Sequence, residues 1–148
     1  MSNGEIEMRS RQYGVSLIEL LTVMVIVGIL SAIAYPSYRQ TVIRGKRADA
    51  KIALQQNAQA LENCFTRFHS YNDTANCPVA ATLQGAGIAS TDGNYLITAA
   101  AGRPDLEFAL TATPQNGQAA DTKCGNFTLD HADAKGVSGS QPAAECWR

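Results

Sequence analysis

Residues Val15 to Tyr35 read VSLIELLTVMVIVGILSAIAY, and no other stretch constrains the fold so strongly. These 21 residues carry a single charge, Glu19. At a rise of about 1.5 Å per residue, a helix of that length spans roughly 31 Å, close to the hydrocarbon thickness of a bilayer. A soluble helix seldom runs so far without a polar face. A removable secretory signal fits poorly, because the run is longer than the apolar region of such signals and Ser31-Ala32-Ile33-Ala34 is followed by the bulky pair Tyr35-Pro36. A membrane anchor is the expectation. Within lipid, an unpaired acid costs on the order of a few kcal/mol. Glu19 is therefore either a headgroup-level carboxylate or a residue that awaits a positive partner, such as an amino group or a helix end.

The remainder of the 148-residue chain is sized for one domain. Twelve basic and thirteen acidic residues leave a net charge of -1, which excludes a highly charged disordered chain and argues against a generally basic nucleic-acid binder, while leaving room for a local patch. Flanking charges conflict with the cysteines over topology. Arg9 and Arg11, beside Glu5 and Glu7, precede the run, whereas Arg39, Arg44, Lys46, Arg47 and Lys51 follow it. Loop charge alone places the C-terminal part in the cytoplasm. Four cysteines favour an oxidising compartment instead.

The residues Gly14-Val15-Ser16-Leu17-Ile18-Glu19-Leu20-Leu21, then the apolar run, then Tyr35-Pro36-Ser37-Tyr38, closely resemble a type IV pilin N-terminus. The resemblance continues in Phe108–Pro114, in Asp121-Thr122-Lys123-Cys124-Gly125-Asn126-Phe127-Thr128-Leu129-Asp130 and in Cys146-Trp147, which look like the PilE-like minor pilin group. It implies a leader ending at Gly14, cleavage by a prepilin peptidase between Gly14 and Val15, and N-methylation of Val15. Val15 stands where the family usually has Phe. Glu19 becomes the fifth mature residue, its carboxylate meeting the amino terminus of a neighbouring subunit during assembly. The resemblance also implies a C-terminal domain outside the inner membrane, and long exported domains can override the loop-charge rule.

Along the chain, residues 1–14 are read as leader and 15–35 as the transmembrane and filament-core helix. Residues 36–68 are read as the amphipathic helix half of a globular domain. Residues 69–93 form a loop between helix and sheet, and 94–148 an antiparallel sheet with a C-terminal disulfide loop. Pro36 should kink the helix. Ala50, Leu54, Ala58, Leu61, Phe65 and Phe68 recur at spacings of three and four, a helical stripe, and Tyr38, Val42 and Gly45 begin a similar one. The helix is expected to end between Phe68 and Ser70. Strands are expected at 94–99, 106–113 and 126–130, with a short fourth near 136–138 and a turn at Gly102-Arg103-Pro104-Asp105. The fold class is α+β, a type IV pilin fold: a long helix packed on an antiparallel sheet of three to four strands.

Cys64, Cys77, Cys124 and Cys146 allow three connectivities. Pairing nearest neighbours closes two short loops, and for Cys124 with Cys146 the resemblance implies the same, since pilins commonly staple a C-terminal loop. Zinc is disfavoured by the absence of a C-x-x-C pair and of finger spacing at His69 and His131. No cofactor is expected. No enzyme motif occurs, and His131 beside Asp130 and Asp133 reads as a solvated turn. Arg44, Lys46, Arg47 and Lys51 form a basic cluster, read first as a solvated, membrane-proximal helix face and second as an anionic-ligand site. Trp147 is read as a lid on the core or as an exposed contact.

The reading that follows is a non-enzymatic structural subunit, a minor pilin of a type IV pilus (a fimbrium) that supports twitching motility, adhesion or pilus assembly. Its expected partners are other pilins, the prepilin peptidase, the inner-membrane assembly machinery and, before assembly, membrane lipid. DNA is a further candidate partner, because the resemblance includes DNA-uptake pilins. The alternatives are a tip pilin that binds DNA or a surface ligand and a type II secretion pseudopilin. The cysteine pairs and the CGxxTLD-like stretch favour a pilus over the latter.

Overall fold

The computed structural model describes residues 14–101 and 103–148. The expected leader lies outside the described residues except for Gly14, as does Gly102 of the expected turn. The described residues divide into two compact units, one ending at Arg39 and the other spanning Gln40–Arg148.

Helix α1 spans Leu17–Phe68 and continues through Pro36 without ending there. Its first part lies in the first unit, where the Leu20 amide donates to the Ser16 carbonyl at 3.1 Å and Glu19 occupies the first turn. An acid there complements the positive end of the helix dipole. The apolar side chains of this segment, from Val15 through Leu17, Ile18, Leu20, Leu21 and on to Ile33, are each more than half exposed. The helix is long and apolar enough to cross a membrane.

In the second unit α1 carries one face of the core: Ala50, Ala53, Leu54 and Leu61 are buried. That face follows the expected stripe, with two differences. Phe68 is 41% exposed at the helix end, and Tyr38 and Val42 are exposed as well. The stripe also admits two polar residues, Asp49 and Asn57. Asn57 is accommodated because its Nδ2 donates to the Ala53 carbonyl one turn earlier, at 2.8 Å.

The sheet has five strands, not three to four: β1 (Ile88–Ala89), β2 (Tyr95–Ala99), β3 (Ala109–Pro114), β4 (Phe127–Asp130) and β5 (Lys135–Val137), paired antiparallel in chain order. Alternation places Tyr95, Ile97, Leu110, Ala112, Phe127 and Leu129 in the same core as the buried face of α1. The opposite face carries Thr98, Thr111 and Thr128 as direct cross-strand partners, with Gly136 completing the row.

The stretch 69–93, expected to be loop, holds a short helix α2 (Pro78–Gln84) as well as β1. Pro78 opens α2 at a position that needs no amide hydrogen bond. Gly87 then turns back at φ +80°, and a Cβ there would come 2.9 Å from the Ile97 carbonyl oxygen, so only glycine fits. Strand β3 begins at Ala109 rather than at residue 106. The preceding loop is held by Asn72, whose Nδ2 donates to the carbonyls of Pro104 at 2.7 Å, Glu107 at 3.1 Å and Arg103 at 3.2 Å. Tyr71 packs nearby, stacked on Phe65 with centroids 4.5 Å apart and edge-on to Phe108 at 5.0 Å. A disulfide between Cys64 and Cys77 ties the end of α1 to the start of α2.

Candidate functional site

Two regions carry residues singled out in the sequence. The first is the N-terminal segment, where Gly14, Val15 and Glu19 are all exposed. The second lies in the unit 40–148, where the basic face of α1 meets the C-terminal segment.

Arg44, Arg47 and Lys51, spaced by three and four residues, share one face of α1. They line a cleft of about 250 Å³ whose other wall is Gln141, Glu145, Cys146 and Arg148. Lys46 falls on another face and does not line it. Arg47 is the fixed member. Its Nε donates to Asp121 Oδ2 at 2.7 Å and an Nη donates to Oδ1 at 2.8 Å, a bidentate pair with the Asp121 side chain 1% exposed. These bonds hold the Arg47 guanidinium above its ordinary pKa, against the opposing effect of burial. Asp121 also accepts the Cys124 amide at 3.3 Å, so the same carboxylate positions the start of the C-terminal disulfide loop. Behind the pair, Gln118 donates from Nε2 to the Tyr95 hydroxyl at 2.9 Å and to the Ile43 carbonyl at 3.2 Å. Burial pushes the Tyr95 hydroxyl up to about 12, with the Gln118 bond opposing it.

The second wall is held by backbone and covalent bonds. The Gly139 amide donates to the Cys124 carbonyl and the Gln141 amide to the Lys123 carbonyl, both at 2.9 Å. A Cβ at Gly139 would collide with the main chain of Lys123 and Cys124, so this close approach requires glycine. The Cys124–Cys146 disulfide then anchors the short helix α3 (Ala143–Cys146). Trp147 covers the core edge-on to Phe127 at 5.7 Å and donates from Nε1 to the Gly136 carbonyl at 3.1 Å. It is the lid rather than an exposed contact. Lys51 donates from Nζ to the Arg148 main-chain oxygen, closing the cleft on that side. Burial lowers the Lys51 pKa, and the positive charge of Arg47 lowers it further. His131 is exposed at the far end of the sheet, 6.4 Å from the Phe108 ring. Among the described residues no group of three or more His, Cys, Asp or Glu could hold a metal ion.

The sequence reading found three of the four cations of the cleft but not its far wall. Gln141, Glu145 and Arg148 carry no local pattern, and Asp121 is polar in a stretch that shows no periodicity. What this arrangement offers chemically is a preorganised, positively charged concavity that can take an anion.

Residues 36–128 match the family described as type IV minor pilin ComP, DNA uptake sequence receptor. The chain belongs to this type IV pilin family. Residues 9–35 of the pilin match the prokaryotic N-terminal methylation motif. It is 37% identical over 102 residues to the type IV major pilin protein PilA of Myxococcus xanthus, covering 67% of this chain and 43% of that protein. This pilin thus spans less than half the length of that relative. It is 31% identical over 114 residues to the type IV major fimbrial protein FimA of Dichelobacter nodosus, covering 74% of this chain and 70% of FimA. A solved type IV pilin from Shewanella oneidensis is similar at 27% identity, covering 72% of this chain and 98% of its own, with a TM-score of 0.45. The methylation motif and the exposed apolar helix together fit a membrane-anchored pilin that assembles into a pilus.

Proposed function

We propose that this pilin is a minor subunit whose globular unit captures DNA for uptake at the filament surface. The observation that carries the reading is the match of residues 36–128 to a family described as a DNA uptake sequence receptor. In this reading the chain is cut between Gly14 and Val15, methylated at Val15 and held in the inner membrane by residues 15–35, with residues 36–148 in the periplasm. It then enters the pilus through its N-terminal helix. Glu19 pairs there with the amino terminus at Val15 of a neighbour, and Pro36 lies within the continuous helix between core and globular part. Partners are other pilins, the prepilin peptidase and the assembly machinery.

The test is deletion of the gene in the native host, with DNA uptake and filament number both scored. Loss of uptake with filaments still present is expected. Normal uptake sinks the reading. A second reading, a structural subunit needed for filament formation, motility or attachment, is favoured by the relatives PilA and FimA, which are major subunits. Loss of the filaments themselves in the deletion strain would support it.

A further inference from the structure

The cations of the second unit differ in how they are occupied. Arg103 pairs with Glu107 at 3.2 Å, Lys135 pairs with Asp133 at 3.0 Å and lies 5.6 Å from the Trp147 ring centre, and Arg47 is held by Asp121. Among the described residues no carboxylate lies within ion-pair distance of the Arg44 or Arg148 side chains, although both line the same cleft. Lys51 beside them donates to a main-chain oxygen of Arg148, and burial holds it below its ordinary pKa. Positive charge therefore gathers there, the acidic groups at the cleft being Glu145 on the opposite wall and the main-chain carboxylate of Arg148 that Lys51 holds.

We infer that the cleft between α1 and the C-terminal segment is a phosphodiester seat, in which Arg44, Lys51 and Arg148 hold the sugar-phosphate backbone of DNA. The inference rests on the DNA-capturing reading above and assigns it a place. Arg47 is a positioning residue: its guanidinium is turned to Asp121 and fixes the floor. Each cation that neutralises a phosphate releases condensed counter-ions, so it contributes to affinity and to salt dependence but carries no base information. Gln141 adds a neutral side chain at the same wall, while Glu145 opposes the anion and keeps the seat from binding anions indiscriminately. Lys123, whose carbonyl accepts the Gln141 amide, extends the basic edge, its Nζ donating to Gln40 Oε1 at 3.5 Å.

The experiment measures binding of a fluorescein-labelled DNA duplex by the full processed chain in neutral detergent over a range of salt. Arg44→Ala and Arg148→Ala are each expected to weaken binding and to reduce the slope of log affinity against log salt by about 1. Glu145→Gln is expected to tighten binding, an outcome that misfolding cannot produce. Lys135→Ala, on a separately paired cation, leaves affinity and slope unchanged. If the wild-type chain binds the duplex and neither Arg44→Ala nor Arg148→Ala alters affinity or slope, the seat is overturned while DNA capture survives. Absence of any salt-dependent binding by the wild type overturns both. Displacement of the duplex by phosphatidylglycerol-doped micelles, with the same dependence on Arg44 and Arg148 and at lower concentration than competitor DNA, would assign the cleft to lipid headgroups and overturn the proposal.

Discussion

Arg47 and Asp121 stand 74 positions apart in sequence, yet two parallel hydrogen bonds of 2.7 and 2.8 Å join guanidinium to carboxylate at the base of the basic cleft. The pair has two consequences. It locks the 3-10 turn at Asn116–Ala120 and the segment after it onto α1, and it removes Arg47 from the pool of charges that can meet an anion.

Truncating one partner exposes what the pair compensates. In Arg47→Ala, Asp121 is left as a buried carboxylate with only the Cys124 amide and a long contact from Gln118 at 3.5 Å. Loss of one member of a buried ion pair costs about 3–5 kcal/mol, and the 13% exposure of the Arg47 side chain puts the expectation at the lower end. Thermal unfolding followed by circular dichroism checks it. A change within about 0.5 kcal/mol, as for an ordinary surface substitution, would show that the pair is not stabilising.

Acid should weaken the fold through Asp49. Burial pushes this carboxyl up, but the hydrogen bonds from Ser90 Oγ at 2.6 Å, from Asn94 Nδ2 at 3.2 Å and from the Asp92 and Asn94 amides outweigh it and hold its pKa below the ordinary value. A folded-state pKa below the unfolded one gives stability that is complete above about pH 4 and is lost as pH falls through the folded value. Asp49→Asn is thus expected to be less stable than wild type at neutral pH, with the gap closing below about pH 4. Urea titrations of both proteins across that range would read this directly. A gap that stays constant or widens on acidification contradicts the assignment.

How much of this was legible beforehand depends on the range of the interaction concerned. The helical stripe through Leu54 and Leu61 and the alternation of Phe127 with Leu129 are local patterns, and both sets of residues enter the core. Segments without a period were opaque. Helix α2 and strand β1 sit in an Ala-, Thr- and Gly-rich stretch, where Pro78 and the turn at Gly87 set the boundaries. Strand β3 starts later than its alternation suggests because Asn72, from a distant segment, holds residues 103–107 in a loop and takes Leu106 out of the sheet. Buried polar residues were the least readable: Asp49, Gln118 and Asp121 look like surface residues until partners about forty to seventy-five positions away are brought to them. Half of the cleft shares that origin. Arg44, Arg47 and Lys51 announce themselves by helical spacing, but Glu145 and Arg148 reach the same cavity only after a disulfide and a backbone ladder have folded the C-terminal segment back.

The two disulfides should therefore separate in their effects. Each closes a short loop, 13 residues for Cys64–Cys77 and 22 for Cys124–Cys146, so each contributes roughly 3 kcal/mol by restricting the unfolded chain. Their structural reach differs. Replacing Cys124 and Cys146 together by serine frees α3 and with it Glu145 and Arg148, whereas replacing Cys64 and Cys77 loosens the opposite end of α1. Similar losses in thermal stability are expected from the two double variants. A lowered salt slope for DNA binding is expected from the Cys124/Cys146 variant alone. Equal effects on binding would mean that the C-terminal wall does not take part.

The remaining prediction concerns assembly. In the first unit the apolar residues around Glu19 are exposed, so leaving lipid for the core of a filament exchanges one apolar surrounding for another and gives little preference for register. A single charge supplies that preference, provided that a counter-charge is placed at one depth only. If the chain is cut before Val15 as proposed, the new amino terminus, four residues before Glu19, supplies that charge on a neighbouring subunit. Glu19→Ala should leave the protein in the membrane fraction at normal abundance and remove it from sheared filaments. Gly14→Ser should instead block cleavage, giving a precursor of the same gel mobility as that seen in a strain lacking the peptidase. Incorporation of Glu19→Ala into filaments at the wild-type level would show that the carboxylate has no part in registering subunits. Loss of the variant from the membrane as well would assign Glu19 to insertion rather than assembly.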